Sequence, residues 1–63
     1  MKLITTKAMM SIVNLWCEHK ELAPKDKFYC EDNGVYVGCD NTTGDCWVEE
    51  FKTEKEVIVW LND

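Results

Sequence analysis

The chain has 63 residues, enough for one small domain and no more. Its apolar content of 46% is too high for an ordinary disordered tail, and no apolar run approaches the ~20 residues of a membrane span. Twelve acidic residues against seven lysines and no arginine leave a net charge of −5, which argues against sequence-independent nucleic-acid binding, since that needs a basic face to displace counterions.

The opening residues, Met1 to Thr6, lack the continuous apolar stretch of a signal peptide, so a cytoplasmic location is expected. Leu3 and Ile4 suit either a very short strand or the lead-in to a helix. Thr5 or Thr6 is a suitable N-cap, because a hydroxyl accepts from the free amides of a first turn. Met9, Ile12, Val13 and Trp16 then recur at i, i+3, i+4 and i+7, the spacing of one helix face. Pro24 disfavours helical geometry at Ala23, which predicts closure of this helix near Glu21 or Leu22.

From Lys27 the apolar period changes to two. Asn33-Gly34 between alternating apolar residues predicts a type I′ hairpin, whose central residues both need positive φ. A second turn-rich run, Asp40 to Asp45, leads into Cys46-Trp47-Val48-Glu49-Glu50-Phe51. The reading is a three-stranded antiparallel meander, with Cys30 opposite Val37, Phe28 opposite Cys39, Cys39 opposite Cys46 and Val37 opposite Val48. One face then carries Phe28, Cys30, Val35, Val37, Cys39, Cys46 and Val48, a suitable core. The other carries Tyr29, Glu31, Tyr36, Gly38, Trp47 and Glu49, expected to face outward.

Thr53-Glu54-Lys55-Glu56 has the capping-box pattern, with Glu56 expected to reach back to the cap amide. Val57, Trp60 and Leu61 give the helix that follows an apolar stripe. A helix this short is marginal alone and has to dock on the sheet. The expected fold is α+β, in the order α-β-β-β-α, a single domain over 1–63 with both helices on one side of the sheet.

Cys17, Cys30, Cys39 and Cys46 admit three readings. Buried free thiols are favoured in a reducing compartment, and they suit Cys30 and Cys39 on the core face. A disulfide is the second reading, with Cys39 and Cys46 the pair a hairpin would oppose. Zinc is the third, disfavoured because the spacings contain no Cys-x-x-Cys knuckle. No metal or other cofactor is expected. Catalysis is not expected either. His19 and Ser11 are the only members of their types, and Cys17 and His19, two apart on a helix, point in different directions. The Asp40–Asp45 run lacks the alternating ligands and distal Glu of a calcium loop. Asn41-Thr42-Thr43 is a glycosylation sequon, relevant only in a secretory lumen.

Charge is skewed along the chain. Residues 1–29 hold five lysines and three acids, a balance of +2, and residues 30–63 hold two lysines and nine acids, a balance of −7. Solubility is the plain explanation. The alternative is a negative field that steers the protein toward basic surfaces. The candidate binding residues are Tyr29, Glu31, Tyr36, Asp40, Asp45, Trp47 and Glu49, rigid aromatic rings among carboxylates that would dock a basic groove on another protein. A purely local role is the competing reading, with Trp47 covering Gly38 and Tyr36 pairing across the sheet. Direct contact with nucleic acid or membrane is not expected; a self-complementary homodimer is the other partner considered.

The stretch from Asp40 to Glu54, with Val57 and Trp60-Leu61, resembles a tail found in small uncharacterised proteins of Gram-positive bacteria and their phages. The resemblance covers under half of the chain and implies no activity and no catalytic residue. Small acidic phage proteins include inhibitors of host defence, such as anti-CRISPR proteins, and the likeness to those is one of size and charge.

Overall fold

The computed structural model describes residues 1–62. Its elements run β1 (Lys2–Leu3), α1 (Thr6–Glu18), a 3-10 turn (Lys20–Leu22), β2 (Lys27–Asp32), β3 (Val35–Asp40), β4 (Trp47–Phe51) and α2 (Glu54–Asn62). The strands form one sheet in the order β1-β2-β3-β4. The fold is α+β as the periodicities predict, but the sheet has four strands and is mixed. Lys2 and Leu3 pair with Phe28 and Tyr29 in parallel, and the Ile4 amide donates to the Tyr29 carbonyl at 2.8 Å. A two-residue strand lies below the length at which alternation is visible in a sequence, which is why Leu3 and Ile4 left the choice open.

α1 starts as its cap dictates: Thr5 is extended and its Oγ1 accepts from the Ala8 amide at 3.1 Å. The helix ends at Glu18, earlier than Pro24 alone implies. His19 leaves helical geometry at φ −141°, and the backbone closes instead through a tighter turn in which the Leu22 amide donates to the His19 carbonyl. The first hairpin matches its turn chemistry, with Asn33 at φ 53° and Gly34 at φ 82°. Its register is the expected one, Phe28 opposite Cys39 and Cys30 opposite Val37.

The second hairpin is displaced by two residues: Cys39 faces Val48 and Val37 faces Glu50. Asn41 causes this. Its side chain is fully buried, its Nδ2 donates to the Pro24 carbonyl at 2.8 Å, and its Oδ1 accepts from the Cys46 amide at 3.0 Å. Its own amide donates to the Asp26 carbonyl at 3.0 Å. The connection is therefore folded inward around one amide, Cys46 adopts φ 51°, and the strand begins only at Trp47. Because the displacement is even, each side chain of β4 keeps its face. A buried, doubly bonded Asn41 also leaves no acceptor for a glycan.

The two helices lie on opposite faces of the sheet, against the expectation that they share one. α1 packs Met9, Ile12 and Val13 on Phe28, Cys30 and Cys39. α2 packs the fully buried Val57 and Leu61, with Ile58 and Trp60, on Tyr29, Tyr36 and Phe51. Burial of Val57 and Leu61 contributes ~1.5–3 kcal/mol each. Gly38 makes this docking close. A Cβ there would lie 2.7 Å from Val57 Cγ2 and 3.0 Å from the Trp60 ring. The cover over Gly38 is thus Val57 and Trp60, not Trp47. Thr53 caps α2, accepting from the Glu56 amide at 3.2 Å; its hydroxyl donates to Glu56 Oε1 at 3.0 Å, so that carboxylate meets the threonine hydroxyl rather than the cap amide.

Candidate functional site

The fold divides the seven predicted binding residues into three groups. Tyr29 and Tyr36 point toward α2 and are lost to the surface. Tyr29 is only 8% exposed, and its hydroxyl donates to Glu54 Oε2 at 2.9 Å, tying β2 to the first turn of α2. That bond, with the loss of solvent and the nearby Glu54 charge, raises the Tyr29 pKa above its ordinary value. Tyr36 is half-buried in the same cluster, and its pKa is raised chiefly by the charge of Glu31 across the strand pair. Both rings are core, so the expectation that they face outward is corrected. The apolar stripe of α2 needs a cover, and Tyr29, Tyr36 and Phe51 on either side of a glycine provide one.

Glu31 is exposed but stands at the far end of the sheet, paired with Tyr36 beside the Asn33-Gly34 turn. Along β3 Asp40 lies four residue steps from Tyr36, roughly 13 Å of strand. Glu31 therefore does not join the remaining four.

Asp40, Asp45, Trp47 and Glu49 do come together at the opposite end. Trp47 and Asp40 are cross-strand partners and Glu49 faces Gly38, so the three share the α2 side of the sheet, Trp47 and Asp40 beyond the glycine on which the helix docks and Glu49 exposed beside it. Trp47 is 64% exposed. Asp40 is fixed by its neighbour: its Oδ1 accepts from the Thr42 hydroxyl at 2.7 Å and from the Thr42 amide at 3.1 Å. These bonds, with the charge of Lys27, outweigh partial desolvation and hold its pKa below the ordinary carboxylate value. Asp45 sits in the connection, where its Oδ2 accepts from the Thr43 hydroxyl at 2.9 Å. The connection is pinned from α1 as well, since Trp16 Nε1 donates to the Gly44 carbonyl at 2.7 Å. The half-buried Trp16 thus completes the helix stripe while acting as a strut.

Val48 and Glu50 are residues the sequence reading did not place here. Val48 was assigned to the core but is 48% exposed, and Val35 is exposed with it. α1 packs against β2 and the 3-10 turn, and leaves the same side of β4 open. β4 is also the last strand of the sheet, so alternate backbone amides and carbonyls along it point away from β3 without a partner strand. The signal for this was in the composition of the strand: Trp47-Val48-Glu49-Glu50 puts acids on both faces, which suits an edge and not a strand enclosed by helices.

Lys27, opposite Asp40 across the strand pair, offsets part of the charge here, while Glu49 and Glu50 are in no ion pair among the described residues. Among the described residues the ion pair is Lys2–Asp26 at 3.8 Å, beside the connection, since the Asp26 carbonyl accepts from the Asn41 amide. Of the cysteines, Cys30 and Cys39 are buried as expected, Cys46 is half-buried, and Cys17 is exposed near the end of α1, contrary to a reading of all four as buried thiols. Among the described residues no three His, Cys, Asp or Glu side chains converge as metal ligands, and no helix is long and apolar enough to cross a membrane. No family model, curated protein or solved structure matches this chain.

Proposed function

We propose that this protein is a small non-catalytic binding module that docks a basic surface of another protein through Asp40, Asp45, Trp47 and Glu49, with Val48 and Glu50 on the reverse of the same strand. The observation that carries this reading is the 64% exposure of Trp47 on an open sheet edge whose Glu49 and Glu50 are in no ion pair among the described residues. An exposed tryptophan offers a large rigid contact at small entropic cost. The surrounding acids supply orientation and a fast encounter rather than most of the affinity. A basic nucleic-acid-binding protein fits this chemistry, since carboxylates on a small rigid body can occupy the channel that phosphates otherwise fill. A phage-type inhibitor of such a protein is the biological role proposed.

A homodimer through β4 is the weaker reading. Antiparallel pairing of two copies would bring Glu49 and Glu50 of each chain close together, and like charges opposed across strands destabilise the pair.

The test is affinity capture from lysate of a Gram-positive bacterial host, run with the native sequence, with Glu49→Lys and with Asp32→Lys, a charge reversal at an exposed position at the far end of the sheet. The reading predicts a basic protein retained by the native sequence and by Asp32→Lys and lost with Glu49→Lys. Equal retention by all three would overturn it.

A further inference from the structure

Cys39 and Cys46 lie on the α1 side of the sheet with their sulfurs 3.7 Å apart, both reduced, in a hydrogen-bonded thiol pair. Three features make the pair more than a chance approach. The six-residue span between them is held by bonds that do not involve sulfur: Asn41 to the Pro24 and Asp26 carbonyls, the Cys46 amide to Asn41, and Trp16 to Gly44. The ordering that a new covalent link normally has to impose is thus already present. Access is also unequal, since Cys39 is fully buried and Cys46 is half-buried. Finally, closing to the ~2 Å of a bonded pair takes a relative movement of under ~2 Å.

We infer that Cys39 and Cys46 form a dithiol–disulfide couple, oxidised by small disulfides that react first at Cys46. In the first step the Cys46 thiolate attacks one sulfur of the small disulfide, giving a mixed disulfide and one small thiolate. In the second, Cys39 loses its proton to a small thiolate and attacks Cys46 Sγ, expelling the other. Two electrons pass from the protein to the small disulfide, which leaves as two thiols. In the dithiol state burial, assisted by the bond to Cys46 and the charges of Cys46 and Asp40, pushes the Cys39 thiol up to about 12, which together with its burial disfavours it as the first attacker. The disulfide ties β3 to the residue that precedes Trp47. This inference does not depend on the binding reading above.

The experiment uses oxidised glutathione on the full chain with Cys17→Ser, a change that removes the exposed thiol and its adducts. Free thiols counted in denaturant should fall from three to one. Cleavage after glutamate releases residues 32–49, which contain Cys39 and Cys46 alone among the cysteines, and this peptide should be lighter by two hydrogens. Adding Cys39→Ser should instead leave a persistent glutathione adduct on Cys46. Adding Cys46→Ser should leave Cys30 and Cys39 unmodified for as long as circular dichroism shows the chain folded. A bond between Cys30 and Cys39, a lasting glutathione adduct in the chain that retains both thiols, or no loss of thiols under excess oxidant would each overturn the inference.

Discussion

The two faces of the sheet are covered to different extents, and the difference locates the exposed edge. α2 has nine residues and sits over β3 and β4, its approach made close by the missing side chain at Gly38. α1 has thirteen residues and spends its length over β2 and the 3-10 turn, so Val35 and Val48 stay open to solvent. The shorter helix therefore gives the tighter enclosure. Cover depends on where the sheet admits a backbone at close range, and a glycine in a central strand decides that more than helix length does. Beyond the end of the region α2 covers, Trp47 stands clear; on the other face, Val48 does.

The largest expected effect breaks the tighter side. Gly38→Val places a branched side chain where Val57 and Trp60 already sit, and overpacking of this kind should cost ~3 kcal/mol. For a domain of this size each kcal/mol lowers the melting temperature by roughly 4–8 °C. Val48→Thr, on the looser side, should stay within ~0.5 kcal/mol. Denaturant unfolding of the two variants checks the contrast directly, and equal losses would contradict the asymmetry.

Asn41→Ala comes next. It removes a buried amide and leaves the Pro24 carbonyl and the Cys46 amide without partners, for an expected loss of ~2 kcal/mol. The same variant should loosen the connection before Trp47, seen as faster amide exchange at Gly44 and Cys46.

A smaller effect appears in alkali. The Cys39 pKa is raised from its ordinary 9.0 to about 12, so the folded state favours the neutral thiol. The associated stability is complete below pH 9 and is lost as pH rises toward 12. Tyr29 and Tyr36, also raised, act in the same direction above their ordinary 10.0. The unfolding midpoint should therefore fall as pH rises above 9. Cys39→Ala should make the portion of that fall between pH 9 and 10 shallower, leaving there the part owed to Cys30, whose burial also raises its pKa from 9.0.

Much of this architecture is legible in the residues. The cap at Thr5, the positive φ of Asn33 and Gly34, the register of the first hairpin and the stripe of α2 all follow from local chemistry acting within a few residues. The failures are non-local. The side on which α2 docks depends on Gly38 meeting Val57 and Trp60, residues some twenty positions away. The register of β4 depends on Asn41 finding carbonyls at Pro24 and Asp26. A polar residue in a turn-rich run reads as solvent-exposed loop until the chain segment that it bonds is known to lie beside it. The candidate site suffers in proportion. Its aromatic members Tyr29 and Tyr36 move into the core, Glu31 is left at the far end, and Asp40, Asp45, Trp47 and Glu49 remain together because the strand partnership of Trp47 with Asp40 unites them.

The most direct test of the proposed binding edge measures dissociation from the captured basic partner, for the native chain and for Trp47→Ala, from about 50 mM to about 500 mM salt, where screening shortens to a few ångströms. The account predicts binding that weakens steeply with salt, and an off-rate raised at least tenfold by Trp47→Ala, the ~1.4 kcal/mol or more expected of a central aromatic anchor. Binding that is indifferent to salt and unchanged by Trp47→Ala would contradict it.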